Sequence, residues 1–185
     1  MQVWLERAVA RCAHSVARWA DRDRRWAHAV HRIASWPLVM LSLVLASRLG
    51  DGPLWYAVMA ILPLVGGPTG TACALQMFGV GLLNLAIYRY VKRRVCRLRP
   101  FQDCPGIRCC TNPLDDYSFP SGHTLHAVSF AIVLGYHFPW AVWLVGPFAL
   151  LVAASRMVLG LHYPSDVAVG AAIGVASAVL VLGVN

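Results

Sequence analysis

The chain has 185 residues and a formal net charge of +8; 58% of its residues are hydrophobic and only 13% are charged. Soluble domains carry about 25% charged residues, and a globule this apolar would lack the polar side chains to cover its surface. An ordinary soluble enzyme is excluded, and one membrane-embedded unit is expected.

Residues 1–33 form a basic segment of their own. Arg7, Arg11, Arg18, Arg22, Arg24, Arg25 and Arg32 oppose Glu6, Asp21 and Asp23, a local charge of +4. Leu5, Val9, Cys12, Val16 and Trp19 recur at steps of four and three. Trp26, Val30 and Ile33 resume that stripe after Asp23. The period predicts an amphipathic helix, either lying in the headgroup layer or packed against the protein's own spans. A removable signal peptide is not expected, because no apolar core with a small-residue cleavage site begins the chain.

Residues 34–185 read as an all-α, polytopic helical bundle. Residues 52–88, 117–155 and 167–185 contain no Asp, Glu, Lys or Arg. A crossing needs about 20 mostly apolar residues. Gly and Pro clusters divide these runs into six spans, near 35–49, 54–65, 71–91, 121–138, 140–159 and from 164 onward. The first two are short, and four spans is the alternative count.

The stretch 89–116 is basic again. Arg89, Lys92, Arg93, Arg94, Arg97, Arg99 and Arg108 face Asp103, Asp115 and Asp116, a second local charge of +4. So much positive charge beside a membrane boundary suits an anionic ligand. Lys92 is the only lysine in the chain, and its compact ammonium beside arginine forks can combine a point charge with a bidentate clamp on phosphate. Arg93, Arg94 and Arg97 read as anchors against lipid headgroups.

Three segments converge when the spans are folded antiparallel. Lys92 to Pro100 ends the third span, Phe119-Pro120-Ser121-Gly122-His123 opens the fourth, and Ser155 to Asp166 joins the fifth to the sixth. All of them then lie on one face of the membrane. Pro120-Ser121-Gly122 reads as a helix N-terminus whose free N–H groups and dipole suit phosphate. Asp166, four residues after His162, is placed to accept a hydrogen bond from one imidazole nitrogen and leave the other nucleophilic. His123 is free to act as general acid. His14, His28, His31, His126 and His137 read as polar caps.

The constellation resembles the type 2 phosphatidic acid phosphatase superfamily, whose signature is K-x6-R-P, P-S-G-H and S-R-x5-H-x3-D. Lys92–Pro100, Pro120–His123 and Ser155–Asp166 match all three blocks. The resemblance implies an all-helical fold with six crossings and catalysis through a phosphohistidine on His162, oriented by Asp166. It implies protonation of the leaving oxygen by His123, and phosphate held by Lys92, Arg99, Ser121, Gly122 and Arg156. No metal or other cofactor is expected. The expected partners are the bilayer and a membrane lipid substrate, not nucleic acid.

The best-supported substrate at this stage is a lipid phosphate or diphosphate, with undecaprenyl diphosphate favoured by analogy. Phosphatidylglycerophosphate, phosphatidic acid and lipid A phosphates are alternatives. A non-catalytic transporter or binding protein for anionic lipid is the reading of another class. Cys104, Cys109 and Cys110 form a disulfide if their loop faces an oxidising space; a metal knuckle or unpaired thiols are the rivals. With the family resemblance, they place a bacterial inner-membrane protein with an extracytoplasmic site and both termini cytoplasmic.

Overall fold

The structure is a computed structural model that describes residues 18–183; it is helical, with no strand among the described residues. Residues 1–17, half of the expected amphipathic segment, lie outside the described residues.

Helix α1 covers residues 18–31 and tightens into a 3-10 turn at Arg32–Ser35. Pro37, whose missing N–H is no loss in a first turn, opens α2 (Pro37–Gly50). The two segments meet at a bend of 111°. The protein-facing side of α1 is Asp23, Ala27 and His31, spaced by four, whereas Trp19 and Trp26 are exposed. Trp19 and Trp26 of the stripe therefore point outward, and the helix docks through Asp23 and His31 with Ala27 and Val30 in apolar contact.

Asp51 and Gly52 interrupt the chain before α3 (Pro53–Val95). Gly52 has φ 131°, a conformation that favours glycine. A second break falls inside α3, at Gly67 with φ 55°. Residues eight apart in an unbroken helix are about 12 Å apart. A Cβ on Gly70 would nevertheless lie 2.0 Å from the Leu62 carbonyl oxygen. The chain doubles back here, and only glycine fits the contact.

Contacts along the neighbouring helices fix the direction of each segment. Val158, at the end of α6 (Val142–Val158), clusters with Ala34 and Leu43, while Gly50 packs on Val152, further back along that helix. Trp55 stacks on Phe130 and Phe148, and Gly66 meets Phe138 at the end of α5 (Gly122–His137). So α2 and the first half of α3 run the same way, as one passage broken at Asp51. The second half of α3 returns, α5 descends, α6 returns after a turn at Pro139–Ala141, and α7 (Pro164–Gly183) descends.

This differs from the expected six separate spans. Two of them join into one interrupted passage, because neither half is long enough to traverse the bundle alone. The described chain also starts and finishes at opposite ends of the bundle, rather than at the same end as the six-span count requires. By length and composition, Pro53–Asp103, Pro139–Val158 and Pro164–Gly183 can cross a membrane, and the bent pair of α1 and α2 makes a fourth if it counts as one span.

Helix α5 is the central element, packed on α3, α6 and α7. Glycines make its contact with α7 close: a Cβ on Gly170 or Gly174 would lie 2.6 Å from the carbonyl oxygen of Ser121 or Leu125. Small residues at such a four-residue spacing let helices approach within an apolar medium. The same contact brings the start of α5 against the start of α7, where the Ser121 N–H donates to the Asp166 carbonyl at 3.1 Å. Large side chains such as Leu38, Leu64, Trp143 and Leu150 point outward, as a lipid-facing surface requires.

Candidate active site

The catalytic end of the bundle collects the ends of α3 and α6 and the starts of α5 and α7. Between α3 and α5 lie a one-turn helix, α4 (Pro100–Asp103), and an irregular loop to Pro120.

His162 is placed by a helix stop. At the end of α6 the Leu161 N–H donates to the Arg156 carbonyl at 3.1 Å and the Gly160 N–H to the Met157 carbonyl at 3.1 Å. That pair of bonds, with Gly160 at φ 76°, is a Schellman C-cap. A Cβ on Gly160 would sit 2.5 Å from the Arg108 carbonyl oxygen, so glycine is needed twice over. The turn ends on Pro164, which starts α7 and leaves His162 between two fixed helices.

The imidazole is 1% exposed. Its Nε2 lies 3.3 Å from Nη1 of Arg99, which also donates to the Leu161 carbonyl at 2.9 Å. A guanidinium only donates, so Nε2 carries the lone pair and Nδ1 the proton. Burial, and then the charges of Arg156, Arg99 and Lys92, hold the imidazole well below its ordinary pKa. His162 is a neutral base aimed at a cationic pocket.

Asp166 sits in the first turn of α7 and is fully buried. Its Oδ2 accepts from the Tyr163 N–H at 2.8 Å, an N3 side chain reaching back to the cap. Its Oδ1 accepts from Arg97 at 2.7 Å. Asp166 Oδ2 and His162 Nδ1 are 3.7 Å apart, and Nδ1 has no hydrogen-bond partner. The hydrogen bond anticipated between them is thus absent: both Asp166 oxygens are engaged by other donors.

Lys92, Arg99, His123 and Arg156 line one cavity of about 360 Å³ with His162. Lys92 Nζ donates to Asp115 Oδ1 at 2.5 Å and to the Tyr117 carbonyl at 2.8 Å. Arg99 Nη2 reaches the same Asp115 oxygen at 2.7 Å. Burial alone would raise the Asp115 pKa; the hydrogen bond and charge of Lys92, with the charge of Arg99, outweigh it and hold the carboxyl below its ordinary value. A carboxylate therefore occupies the cationic cleft. Arg156 is 2% exposed, donates to Ser47 Oγ, and leaves its Nε without a partner.

Ser121, the residue before α5, is buried, with its Oγ 2.9 Å from Thr124 Oγ1. Gly122 lines the cavity, and a Cβ there would stand 3.7 Å from the Tyr88 ring. The packing tolerates a side chain at that position; the open backbone faces the cavity instead. His123 Nε2 is paired with Asp51 Oδ1, a partner supplied by the break between α2 and α3.

Sequence reasoning missed Asp23, Asp51, Arg97 and Asp115, which carry no motif spacing. For Asp51 the one available signal was a charged residue between two glycines at a break in an apolar run. Arg97 was assigned to lipid headgroups. It is instead turned inward, bonded to Asp166, Ser165 Oγ at 2.7 Å and Asp23 at 2.6 Å. Nor is there a disulfide among the described residues: Cys104, Cys109 and Cys110 are free. Cys104 is buried, its thiol 3.5 Å from the Tyr163 hydroxyl, which removes it from its loop partners. His31 holds the Val158 carbonyl at 2.9 Å and the Arg108 N–H at 3.1 Å, a polar cap as expected of it.

Two imidazoles, one of them neutral and facing three buried cations, are equipped to transfer a phosphoryl group inside a membrane-embedded bundle. The family model described as PAP2 superfamily matches residues 69–184, and the chain belongs to that superfamily. It is 35% identical over 130 residues to the decaprenylphosphoryl-5-phosphoribose phosphatase of Mycobacterium tuberculosis, covering 69% of this chain and 70% of the relative. It is 30% identical over 134 residues to the undecaprenyl-diphosphatase of Sulfolobus acidocaldarius, covering 71% and 64%. The fold matches the crystal structure of the PAP2 type phosphatidylglycerolphosphate phosphatase from Bacillus subtilis with a TM-score of 0.69. That match has 25% identity and covers 89% of this chain and 84% of that one. The chain is a membrane phosphatase.

The occupied cleft predicts competition between Asp115 and phosphate. In Asp115→Asn the competing charge is gone, and inhibition by inorganic phosphate should strengthen by about tenfold, the weight of one charge-assisted hydrogen bond. An unchanged inhibition constant would show that Asp115 and phosphate do not share the cleft. The depressed His162 pKa predicts that the acid limb of kcat/KM attributable to this group lies well below pH 6.5, since the base is lost only as pH falls through its lowered value. A limb at 6.5 or above, measured on wild type and assigned with His162 variants, would contradict that.

Proposed function

We propose that the protein hydrolyses a lipid phosphate or diphosphate through a phosphohistidine on His162. One observation carries this reading: the cavity holding the cations and imidazoles continues into an apolar wall of Trp55, Met59, Met77, Phe78, Leu82 and Phe130. A phosphate and the start of its hydrocarbon tail fit one continuous site.

In the first step His162 Nε2 attacks phosphorus, a nitrogen–phosphorus bond forms, and the bond to the lipid oxygen breaks as His123 supplies the proton. In the second, water attacks phosphorus, the nitrogen–phosphorus bond breaks with its electron pair returning to His162 Nε2, His123 takes the water's proton, and inorganic phosphate leaves. Lys92, Arg99, Arg156 and the Gly122 N–H hold the phosphate oxygens, acting most strongly as charge builds in the transition state; the Ser121 N–H, expected to join them, is already given to the Asp166 carbonyl. Asp166 neutralises the imidazolium side of the reaction at 3.7 Å.

Undecaprenyl diphosphate is the favoured substrate. Relatives named for polyprenyl-linked phosphates support it. The Bacillus subtilis structure supports phosphatidylglycerophosphate as the second reading; phosphatidic acid and lipid A phosphates belong in the same panel. Purified protein in detergent, without added metal, should release phosphate from one member of that panel. His162→Ala should lose roughly a thousandfold or more, and His123→Ala about 10²–10⁴-fold. Full release by His162→Ala would overturn the mechanism. Lipid binding or flux unaffected by either change, with no release by wild type, would favour the transporter reading.

The setting we propose is a bacterial inner membrane, with residues 1–33 as an interfacial helix and residues 34–185 as the membrane domain. The exposed Trp19, Trp26 and Trp36 support an interfacial depth for α1. The free cysteines remove one ground for the expected extracytoplasmic site, and the placement of α1 at the catalytic end removes the charge argument; the family resemblance still favours that side. The turns at the other end, residues 66–68 and 138–141, contain no charged residue at all. Every Lys and Arg of the described chain belongs to the catalytic half of the bundle or to the loops and helix beside it, which supports a cytoplasmic catalytic end. Cys109, exposed in the loop before α5, reports on this. In a variant keeping only that cysteine, an impermeant maleimide should label inverted vesicles and spare intact spheroplasts; the opposite pattern would place the site outside.

A further inference from the structure

The most extensive polar network outside the cavity ties α1 to the loop that carries His162. Asp23, 9% exposed, is its hub. One carboxylate oxygen accepts from the Ser165 N–H at 3.1 Å; the other accepts from Ser165 Oγ and from Arg97 Nη2, the latter at 2.6 Å. Arg97 is thereby fixed with Nη1 on Asp166 Oδ1 at 2.7 Å. Its guanidinium also lies over the Tyr163 ring at 3.9 Å, a stacking that Lys does not reproduce.

We propose that Asp23 is a positioning residue for the nucleophile: it holds the Arg97 fork, the fork holds Asp166, and Asp166 sets the electrostatic field and orientation at His162 Nδ1. The inference rests on the assignment of His162 as nucleophile, and it makes the N-terminal helix a part of the catalytic apparatus rather than a membrane anchor alone.

The physical case is that of a bridging guanidinium. Asp166 is fully buried and receives one charge-assisted bond, from Arg97. Arg97 is itself partly buried, and its charge is divided between two carboxylates on different elements. Without Asp23 the fork keeps one fixed end and one free end. Nη1 keeps Asp166 and Ser165 Oγ, and the plane keeps Tyr163, but the Nη2 end is no longer tied to α1, the kind of loosening that degrades a site through its supporting residues.

Arg24, the next residue on α1, provides the contrast. Its Nε bonds Asp103 Oδ2 at 3.0 Å, so it clamps the same helix to the same face without touching Arg97 or Asp166. If α1 only needs to be attached, Asp23 and Arg24 should be equivalent.

The test compares Asp23→Asn, Asp23→Glu, Arg97→Lys and Arg24→Ala in the full chain, by steady-state kinetics, thermal unfolding and the NMR signals of histidine-labelled protein. Asp23→Asn should lower kcat by roughly ten- to a hundredfold, the range expected for one charge-assisted bond, with KM changed less than about twofold. It should also move the His162 Nδ1–H signal. Asp23→Glu should recover most of kcat, while Arg97→Lys should resemble Asp23→Asn because Lys lacks the planar fork that reaches both carboxylates while stacked on Tyr163. Arg24→Ala should lower the unfolding temperature and leave kcat and the His162 signal near wild type. Equal losses of kcat in Asp23→Asn and Arg24→Ala, or a His162 signal unmoved by Asp23→Asn, would overturn the proposal. A moved signal in a wild-type background that releases no phosphate from any lipid would sink the phosphatase mechanism and leave the positioning role standing.

Discussion

Lys92, Arg99 and Arg156 are all nearly inaccessible, and all three face the same imidazole. Cations taken out of water and left unpaired cost several kcal/mol each, so the rest of the catalytic end is arranged around their neutralisation. Asp115 answers two of them with one carboxylate. Asp51 stands near the third and on His123. Because these cations are already fixed and dehydrated, an incoming phosphate exchanges one anion for another instead of ordering a loose site. Preorganised charge of this kind acts most strongly on the transition state. The same cluster keeps His162 neutral, so a pocket suited to phosphate would also maintain the proposed nucleophile.

The second constraint is the hydrocarbon. Chain that leaves helical geometry within an apolar layer must be buried in protein or line a cavity. The first interruption obeys this; the second, whose Gly67 is exposed, avoids it by lying at the end of the bundle. The break at Asp51-Gly52 opens onto the cavity and delivers a carboxylate to it. The reversal at Gly67 lies at the opposite end, where Gly66 packs on Phe138 and Gly70 on the Leu62 carbonyl. Between them, the buried Asn84 donates to Ser129 Oγ at 2.7 Å across α3 and α5, joining the segment that ends in Lys92 to the one that begins with His123. The distance between those two residues is thus set partly from within the bundle.

What could be read from the sequence follows from how each residue acts. Lys92, Arg99, Ser121, Gly122, His123, Arg156, His162 and Asp166 sit at helix ends with fixed spacings, and antiparallel packing of apolar runs is enough to bring them to one face. Asp23, Asp51, Arg97 and Asp115 were not legible because their roles depend on pairings 16 to 142 residues apart in sequence. The apolar stripe of α1 was seen correctly as a stripe, but periodicity gives a face without saying what it faces. Here the buried side sets Asp23 and His31 either side of Ala27. The span count failed for a related reason: hydropathy marks where a chain is apolar, and two short apolar segments running in the same direction look like two running in opposite ones. Proximity of cysteines in a loop likewise said nothing of Cys104 turning inward to Tyr163.

The reversal of the first passage also changes the meaning of the +8. Divided between two faces, it would combine an anchor on one side with a ligand site on the other. The part of it carried by the described residues is gathered at one end and leaves the other end of the described bundle with no charged side chain in its turns, an asymmetry far beyond what a phosphate site needs. Arg97 and Arg24 show that part of the excess is internal, consumed by Asp166, Asp23 and Asp103. Arg93 and Arg94 are exposed and have no such partner, and Arg25, His28 and Arg32 line an open surface pocket along α1. Those groups are free to meet anionic headgroups, so the same layer that orients the protein would gather acidic lipid around the mouth of its site.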